Sequence, residues 1–405
     1  MKSPTPRPGR PVAVLAGTAL LAGTALLAGC GGPPPPPRDA GTTVLVVGNR
    51  NNMPKPVLVG PARTAIETAV RSKDVLYLVS VSGEPQIAGQ QKIDYPCKTK
   101  AVCDDAAHEI MGKIDAAMTK TVQPAREEAD LLAAVSLAAD TLRGADGPKT
   151  LVVVDNGLQT TGQLSLVASD ALEIDPDAVA SDLVDNHGVS TLEGVDVVMV
   201  GLNAAASPQR ALSPSRSDRL RRLWTAVFTD AKAKSVVVQA GGFPQSDPVS
   251  GLPSVSVVPK DDPAPKPTPT FTSDTPTCVT LREDQVGFVK NEATFRDPGK
   301  ARSFLKDLAG QLLASGVSAV LTGTTAIPET KTGDARLSYR RALAVRDELV
   351  ALGVPVGRLR VEGVGTDFPG YVDPGAGGRW NPIVAMRDRL VIVRVNGALC
   401  PPDGA

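Results

Sequence analysis

The 405-residue chain has few of the side chains on which enzymes and nucleic-acid-binding proteins depend. It contains only 2 histidines and few aromatic residues (7 Phe, 4 Tyr and 2 Trp). So few histidines argue against a multi-histidine metal site and leave little choice of general base. So few aromatic rings cannot build stacking platforms along a nucleic acid strand. The 43 basic and 43 acidic side chains cancel, so no field of one sign covers the whole surface to attract a polyanion.

The chain has enough apolar residues to fold. Hydrophobic side chains make up 42% of it, which excludes global disorder. Its length is about right for two domains. We therefore expect a two-domain globular protein that does not bind nucleic acid.

The first thirty residues are typical of a secretory signal. Lys2, Arg7 and Arg10 precede an apolar run over residues 12–27. That run is shorter than the roughly 20 residues that cross a bilayer, and small residues follow it. The run leads into Leu27-Ala28-Gly29-Cys30, which resembles the lipobox of bacterial lipoproteins.

The lipobox resemblance implies a signal peptide over residues 1–29 and a mature chain that begins at a lipidated Cys30. Residues 30–42, which include the five prolines 33–37, would form a stiff, extended tether. The attached acyl chains (palmitate among them) would hold the protein on the extracytoplasmic face of the cell membrane. The alternatives are an ordinary signal peptide followed by a chance cysteine, or an uncleaved anchor.

Four cysteines remain once Cys30 is set aside. An even remainder in an exported protein predicts disulfide bonds, which we assign as Cys97–Cys103 and Cys278–Cys400. A zinc site is the alternative, but close Cys-x-x-Cys spacing and nearby histidines are both missing. We therefore predict no metal.

Strands and helices alternate over residues 43–259. Wholly apolar strands such as Thr43–Val47 and Thr150–Val154 lie between amphipathic helices such as Pro61–Ser72, which predicts a buried, mainly parallel sheet covered on both faces. This is a Rossmann-like α/β architecture. The further predicted elements are strands over 75–81, 195–202 and 235–238, helices over 104–118, 125–143 and 217–231, and a short helix capped by Asp175-Pro176.

The segment Glu128–Gly157 resembles von Willebrand factor A-like domains, in which such a helix leads into a strand that ends in an Asp-Gly turn. Members of that family often bind a divalent metal through an Asp-x-Ser-x-Ser loop after the first strand. Here the loop, residues 48–52, reads Gly-Asn-Arg-Asn-Asn, so it lacks a carboxylate and gains a cation at Arg50. We therefore expect this fold without its metal. Asp155 either lines a ligand crevice at a strand end or caps a turn.

A dinucleotide cofactor has no support either, because no Gly-x-Gly-x-x-Gly follows the first strand. Residues 260–277 are rich in Pro, Thr and Asp, which predicts an exposed linker. A second folded part over residues 278–400 and a tail over 401–405 follow. Its predicted elements are a short strand from Val286, a helix over 297–315, a strand over 317–322, a helix over 334–352, and strands over 359–364 and 390–395. The order β-α-β-α-β-β indicates an α+β domain with two helices on one sheet.

The second of these helices carries the most specific motif in the chain. It has Asp334 followed, at the family spacing, by Leu337, Ser338, Arg341, Ala342, Val345 and Leu349. This resembles the OmpA-like family, whose signature is Asn-x-x-Leu-Ser-x-x-Arg-Ala-x-x-Val-x-x-x-Leu. Only the first position departs, with Asp334 in place of Asn.

The OmpA-like resemblance implies non-covalent binding of peptidoglycan. In that family an Arg, here Arg341, holds the carboxylate of diaminopimelate, and an Asp in a Gly-x-Thr-Asp loop holds its ammonium. The loop reads Gly-Thr-Thr-Ala here, ending in Thr325 and Ala326, so the Asp is lost. Asp334 or Asp367 could substitute for it. Alternatively, Arg341 is a structural helix arginine and wall binding is weakened or altered.

We therefore expect a lipid-anchored envelope protein whose OmpA-like domain contacts peptidoglycan and whose von Willebrand A-like domain is an interaction module. The alternative is an envelope scaffold that binds another protein and has little or no wall binding. An enzyme is the weakest hypothesis, because the chain has no Gly-x-Ser-x-Gly elbow. Its histidines, His108 in a predicted helix and His187 in a turn, suggest structural or exposed positions.

Overall fold

The computed structural model of the chain describes residues 38–168, 170–239, 241–262, 271–272, 274–326 and 331–398, with the backbone alone of 331–334. The predicted signal peptide, the lipidated Cys30, most of the tether, much of the linker, Cys400 and the tail lie outside these residues. No helix among the described residues is long and apolar enough to cross a membrane.

The first part of the chain folds around a six-stranded sheet. Its strands are β1 (Thr42–Val47), β2 (Val75–Ser80), β3 (Gln86–Lys92), β4 (Lys149–Val154), β5 (Val195–Val200) and β6 (Ser235–Val238). Its helices are α1 (Gly60–Arg71), α2 (Lys100–Lys120), α3 (Leu131–Arg143), α4 (Pro176–Asp185) and α5 (Pro214–Asp230). The order across the sheet is β3-β2-β1-β4-β5-β6. Every neighbouring pair is parallel except β2 and β3.

Both faces of this sheet are covered, which explains why its central strands are mainly apolar. Along β1, Leu45 and Val47 point into a core that α1 and α2 complete. The alternate residues Val44 and Val46 point into a second core that α3, α4 and α5 complete. Period-two alternation between two buried faces favours apolar side chains, and the buried Thr43 is accommodated because its hydroxyl donates to Asp74 at 2.7 Å. The result is a layered α/β fold with a mainly parallel sheet.

The edge strand β3 was not predicted from the sequence. It reads QIAGQQK, and most of its side chains are exposed. An antiparallel edge strand with little buried surface needs neither apolar alternation nor β-branched residues, so it gives no pattern to recognise.

The second part of the chain folds around a four-stranded sheet. Its strands are β7 (Thr277–Leu281), β8 (Ala319–Thr324), β9 (Leu359–Gly365) and β10 (Val391–Val395). Its helices are α6 (Glu283–Val286), α7 (Pro298–Ser315), α8 (Lys331–Ala351) and α9 (Pro382–Arg387). The order is β7-β10-β8-β9, with β8 and β9 parallel and the other pairs antiparallel. The two long helices, α7 and α8, share one core with the sheet.

The strand predicted from Val286 is wrong. Val286 ends the one-turn helix α6, and the first strand of the sheet is β7, which begins at the last residue of the predicted linker. Phe288 instead forms an isolated antiparallel bridge with Phe295, and the centres of their rings lie 5.1 Å apart. The two aromatic rings thus fold residues 288–295 into a tight hairpin-like loop.

One predicted disulfide is present. Cys97 and Cys103 are bonded at the start of α2, with their Cα atoms 4.7 Å apart. Cys278 also takes part in a disulfide bond. Because Cys400 lies outside the described residues, the Cys278–Cys400 pairing stays a prediction.

Candidate functional site

Two glycines let helix α8 lie directly on the four-stranded sheet. Gly323 on β8 and Gly363 on β9 are paired in register. A Cβ at Gly323 would lie 1.9 Å from the Ser338 carbonyl oxygen, and one at Gly363 would lie 2.3 Å from the Ala335 carbonyl oxygen. The Ser338 hydroxyl also accepts a hydrogen bond of 3.0 Å from the Gly365 N–H. This close packing fixes where the next turn of α8, with Arg341, meets the end of β8.

The loop after β8 is held against the same region. The Thr325 N–H donates to the Gly365 carbonyl at 2.9 Å. The Thr325 side chain is buried, and its hydroxyl has no hydrogen-bond partner among the described residues. Thr325, Ala326 and Arg341 together line a cavity of about 290 Å³, which we call the Arg341 cavity.

Arg341 is buried but its charge is not neutralised by a direct partner. It is 5% exposed, its Nε donates to the Glu292 carbonyl at 2.9 Å, and its guanidinium lies 5.3 Å from the centre of the Phe288 ring. Among the described residues no carboxylate forms an ion pair with it. Burial lowers the pKa of Arg341 to about 10, and the charge of Glu283 opposes that effect. The guanidinium therefore stays protonated at neutral pH and faces the cavity.

Glu283 lies on the wall of the same cavity, and only one of its two carboxylate oxygens has a hydrogen-bond partner among the described residues. It is the first residue of α6 and is 5% exposed. Its Oε1 accepts a hydrogen bond of 2.6 Å from Arg296. Its other oxygen, Oε2, is buried and has no hydrogen-bond partner within the described part of the chain. The cavity therefore contains an unpaired cation and a carboxylate oxygen that lacks a donor.

The opposite wall of the Arg341 cavity comes from the six-stranded part. One face of α4 lines it, with Asp177, Ala178, Ser181 and Asp182. Asp182 is buried and accepts from Arg389 at 3.0 and 3.2 Å and from Trp380 Nε1 at 2.8 Å.

Further ion pairs join the two parts around this wall, and each has its acid on the six-stranded part. They are Lys290–Asp185, Arg296–Asp175 and Arg387–Asp170. Ile383 and Met386 of α9 extend one core of the six-stranded sheet. Charge complementarity and apolar contact thus hold α4 over the cavity.

The predicted site residues do not all meet here. Arg341 and Thr325 share the Arg341 cavity, whereas Asp367 lines a separate cavity of about 490 Å³. The side chain of Asp334 lies outside what the structure describes, although its backbone belongs to α8. Asp367 therefore does not line the Arg341 cavity, and a role for the Asp334 carboxylate stays a prediction.

Sequence reasoning missed Glu283, Asp182 and Arg389. Arg389 lies in the segment Arg387-Asp388-Arg389-Leu390 just before β10, and nothing in that segment indicates a contact. Asp182 and Arg389 are 207 positions apart, and Glu283 follows no motif. No local signal in the sequence could therefore have placed them together.

The cavity that Asp367 lines, of about 490 Å³, also has a buried carboxyl group on its wall, that of Asp388. Asp388 is 3% exposed, and its Oδ2 has no hydrogen-bond partner among the described residues. Burial raises the pKa of Asp388 to about 7, and the charge of Asp373 acts in the same direction. Arg387 and Arg389 oppose this rise but do not cancel it.

At the carboxyl edge of the six-stranded sheet, Arg50 binds the carboxylate that follows β4. Its guanidinium donates to both oxygens of Asp155, at 2.6 and 2.9 Å, and to Asn156 Oδ1 at 2.6 Å. All three side chains are buried. Gly48 makes room for the pair, since a Cβ there would lie 2.0 Å from Asp155 Oδ2. Arg50, the cation in the loop after β1, thus forms an ion pair with both oxygens of Asp155.

No residue in the described ranges belongs to a cluster of three or more His, Cys, Asp or Glu side chains that could hold a metal ion. The resemblance to von Willebrand factor A-like domains implies a divalent metal at the loop after β1, so we asked whether the residues of that loop could bind one. A buried guanidinium already holds both oxygens of Asp155, so the residues present do not fit a divalent cation.

No protein-family model and no curated protein matches the chain. Solved structures do show similarity over part of it. They include the OmpA-like domain of FopA1 from Francisella tularensis (19% identity, covering 30% of this chain and 71% of that one, TM-score 0.24). A second is the cell wall anchor of the T6SS from Pseudomonas aeruginosa (28% identity, covering 30% of this chain and 80% of that one, TM-score 0.25). A third is the peptidoglycan-associated lipoprotein from Burkholderia pseudomallei (19% identity, covering 29% of this chain and 89% of that one, TM-score 0.24). At TM-scores this low, the similarity by itself decides neither fold nor function.

Proposed function

We propose that this protein is a lipid-anchored component of the bacterial cell envelope that contacts peptidoglycan non-covalently through the Arg341 cavity. The observation that carries the proposal is a buried, protonated guanidinium that has no ion-pair partner among the described residues and faces a cavity. An arginine in that state is a ready binding group for a carboxylate, because its planar fork can donate two hydrogen bonds.

The remaining parts of the proposal concern the organisation of the chain. Residues 1–29 are removed, Cys30 carries the lipid, and residues 30–42 lift a von Willebrand A-like interaction module over 43–259 away from the membrane. Residues 278–400, stapled by Cys278–Cys400, are the OmpA-like domain. The strand order of the six-stranded sheet supports the first domain, because it is an order common among doubly wound sheets. The role is a binding role and not a catalytic one.

Sedimentation with purified peptidoglycan tests the wall contact. We expect the full chain, purified in detergent, to sediment with the wall, and Arg341→Ala to reduce its retention at least tenfold, since a charge-assisted contact contributes about 1.5–3 kcal/mol. Arg340→Ala is the matched control, because Arg340 is the neighbouring residue of α8 and is exposed. Equal retention of the two variants, or no retention of the unaltered protein, would overturn the proposal.

A second candidate function is an envelope scaffold that binds another protein. The observation that favours it is the wall that α4 forms across the Arg341 cavity, pinned by the buried Asp182–Arg389 pair. A photo-cross-linker at the exposed Ile87 of β3 tests it in cells. A discrete protein adduct supports the scaffold, whereas adducts of sugar and peptide alone count against it.

A further inference from the structure

Two groups of opposite charge on the wall of the Arg341 cavity have hydrogen-bonding capacity that no described residue uses, although Arg296 is paired with the other oxygen of Glu283. One is the guanidinium of Arg341, and the other is the Oε2 oxygen of Glu283. A buried carboxylate oxygen without a donor is costly, and a buried cation without a partner is costly too. Their presence on the wall of one cavity indicates a ligand that carries both complementary charges.

The other charged groups on this wall are engaged or exposed. Asp182 has both oxygens bound by Arg389 and Trp380. Arg296 is held by Glu283 and the Phe288 carbonyl.

The two remaining charges, Asp177 and Lys290, lie at the exposed rim, where water solvates them. Within the described wall, Glu283 is therefore the buried carboxylate that still has an oxygen without a donor.

We propose that Glu283 replaces the carboxylate lost at Ala326, so that Glu283 and Arg341 together bind a zwitterionic α-amino acid group. The ligand carboxylate lies against the Arg341 guanidinium and accepts from the Thr325 hydroxyl, whose oxygen is buried and has no other described partner. The ligand ammonium donates to Glu283 Oε2. This inference rests on the proposed function, because the ligand is the free amino acid end of a peptidoglycan stem peptide.

The size of the cavity limits what enters. Its volume of about 290 Å³ lies at the small end of the range of ligand pockets, roughly 300–1,000 Å³. It has room for one amino acid terminus and not for the disaccharide of the wall. The stem peptide therefore inserts its tip while the glycan strand stays outside.

Binding of meso-diaminopimelic acid and of pimelic acid to the full chain, measured by titration calorimetry, tests the assignment. The two acids have the same carbon chain and carboxylates, but pimelic acid lacks the ammonium groups. We expect the unaltered protein to bind diaminopimelate at least tenfold tighter than pimelate. Glu283→Gln should remove that preference by weakening diaminopimelate about tenfold or more, with pimelate bound as well as before. Gln keeps an oxygen for Arg296, so the thermal midpoint should change little.

Two further variants keep the outcome interpretable. Asp284→Asn removes the same charge from the next residue of α6, which does not line the cavity, and should leave both affinities unchanged. Thr325→Val should weaken both acids by a similar factor, because it removes a donor to the carboxylate.

Failure of this inference can be told apart from failure of the proposed function. If Glu283→Gln still prefers diaminopimelate while Arg341→Ala loses wall binding, the Glu283 assignment is wrong and the wall contact stands. If the unaltered protein binds neither acid nor peptidoglycan, both are wrong. If it sediments with the wall but does not prefer diaminopimelate over pimelate, the zwitterion clamp is overturned alone.

Discussion

Replacing Asp388 with asparagine should stabilise the protein near neutral pH and not in acid. The carboxyl group is buried on the wall of the 490 Å³ cavity, and its Oδ2 has no hydrogen-bond partner among the described residues. Its pKa rises from 3.8 to about 7, because burial disfavours the ionised form and Asp373 adds a like charge. Asn has nearly the same shape as the protonated acid and never ionises.

The size and sign of the effect follow from proton linkage. Between pH 4 and pH 7 the unfolded chain has released this proton and the folded chain still holds it, so stability falls as the pH rises. Each pKa unit corresponds to about 1.4 kcal/mol. The rise of the pKa from 3.8 to about 7 therefore limits the loss to about 4 kcal/mol by pH 7. Above pH 7 both states are ionised and the loss stays constant.

Urea unfolding of the full chain and of Asp388→Asn at half-unit steps from pH 4 to pH 8.5 measures this effect. The difference in free energy of unfolding should grow in favour of the variant, by no more than about 1.4 kcal/mol per pH unit, and then level off. Asp367→Asn is the matched control, because Asp367 lines the same cavity but is exposed. A difference that does not change with pH would refute the reasoning.

Three other substitutions probe buried contacts. Arg50→Met should destabilise the fold by about 3–5 kcal/mol in urea unfolding, because it leaves Asp155 buried without its guanidinium, and adding Asp155→Leu should recover most of the loss. Asp182→Asn should weaken the contact of α4 with Arg389 by about 1–3 kcal/mol, which would appear as faster hydrogen exchange in α4; unchanged exchange would contradict the contact. Trp224→Phe removes the 3.0 Å hydrogen bond from Nε1 to the Gly157 carbonyl. That carbonyl still accepts from the Gln159 N–H at 3.1 Å, so the hydrogen bond lost should cost about 0.5–1.5 kcal/mol in thermal unfolding.

The apolar strands and capped helices were predictable because their signals are local. Strand β1 was predicted to within one residue, since every one of its positions is buried. Helix α4 was predicted from Asp175-Pro176, and Asp175 does accept the N–H groups of Asp177 and Ala178. The strands that were missed, β3 and β7, carry no apolar run, because most side chains of β3 are exposed and the middle of β7 is only partly buried.

The candidate site divides in the same way. The helix motif and the loop spacing single out Arg341 and Thr325, because both belong to continuous segments. Glu283 and α4 reach the cavity through tertiary contacts, and neither one lies in a recognisable pattern. A carboxylate from a distant segment can bind a ligand ammonium as well as one from the loop after β8. The sequence therefore predicts that a carboxylate is required, but it does not predict which residue provides it.

The ion pairs that join the six-stranded and four-stranded parts at and near α4 should differ in how they respond to ionic strength. Lys290–Asp185, Arg296–Asp175 and Arg387–Asp170 are all partly exposed, whereas the side chains of Asp182 and Arg389 are 3% and 12% exposed.

Dissolved salt screens exposed charges over about 8 Å at physiological concentration and screens buried charges much less. Rising ionic strength should therefore loosen the rim of this contact while its centre holds. The mouth of the Arg341 cavity would then widen, while the Asp182–Arg389 pair and the apolar contact of α9 keep the two parts together.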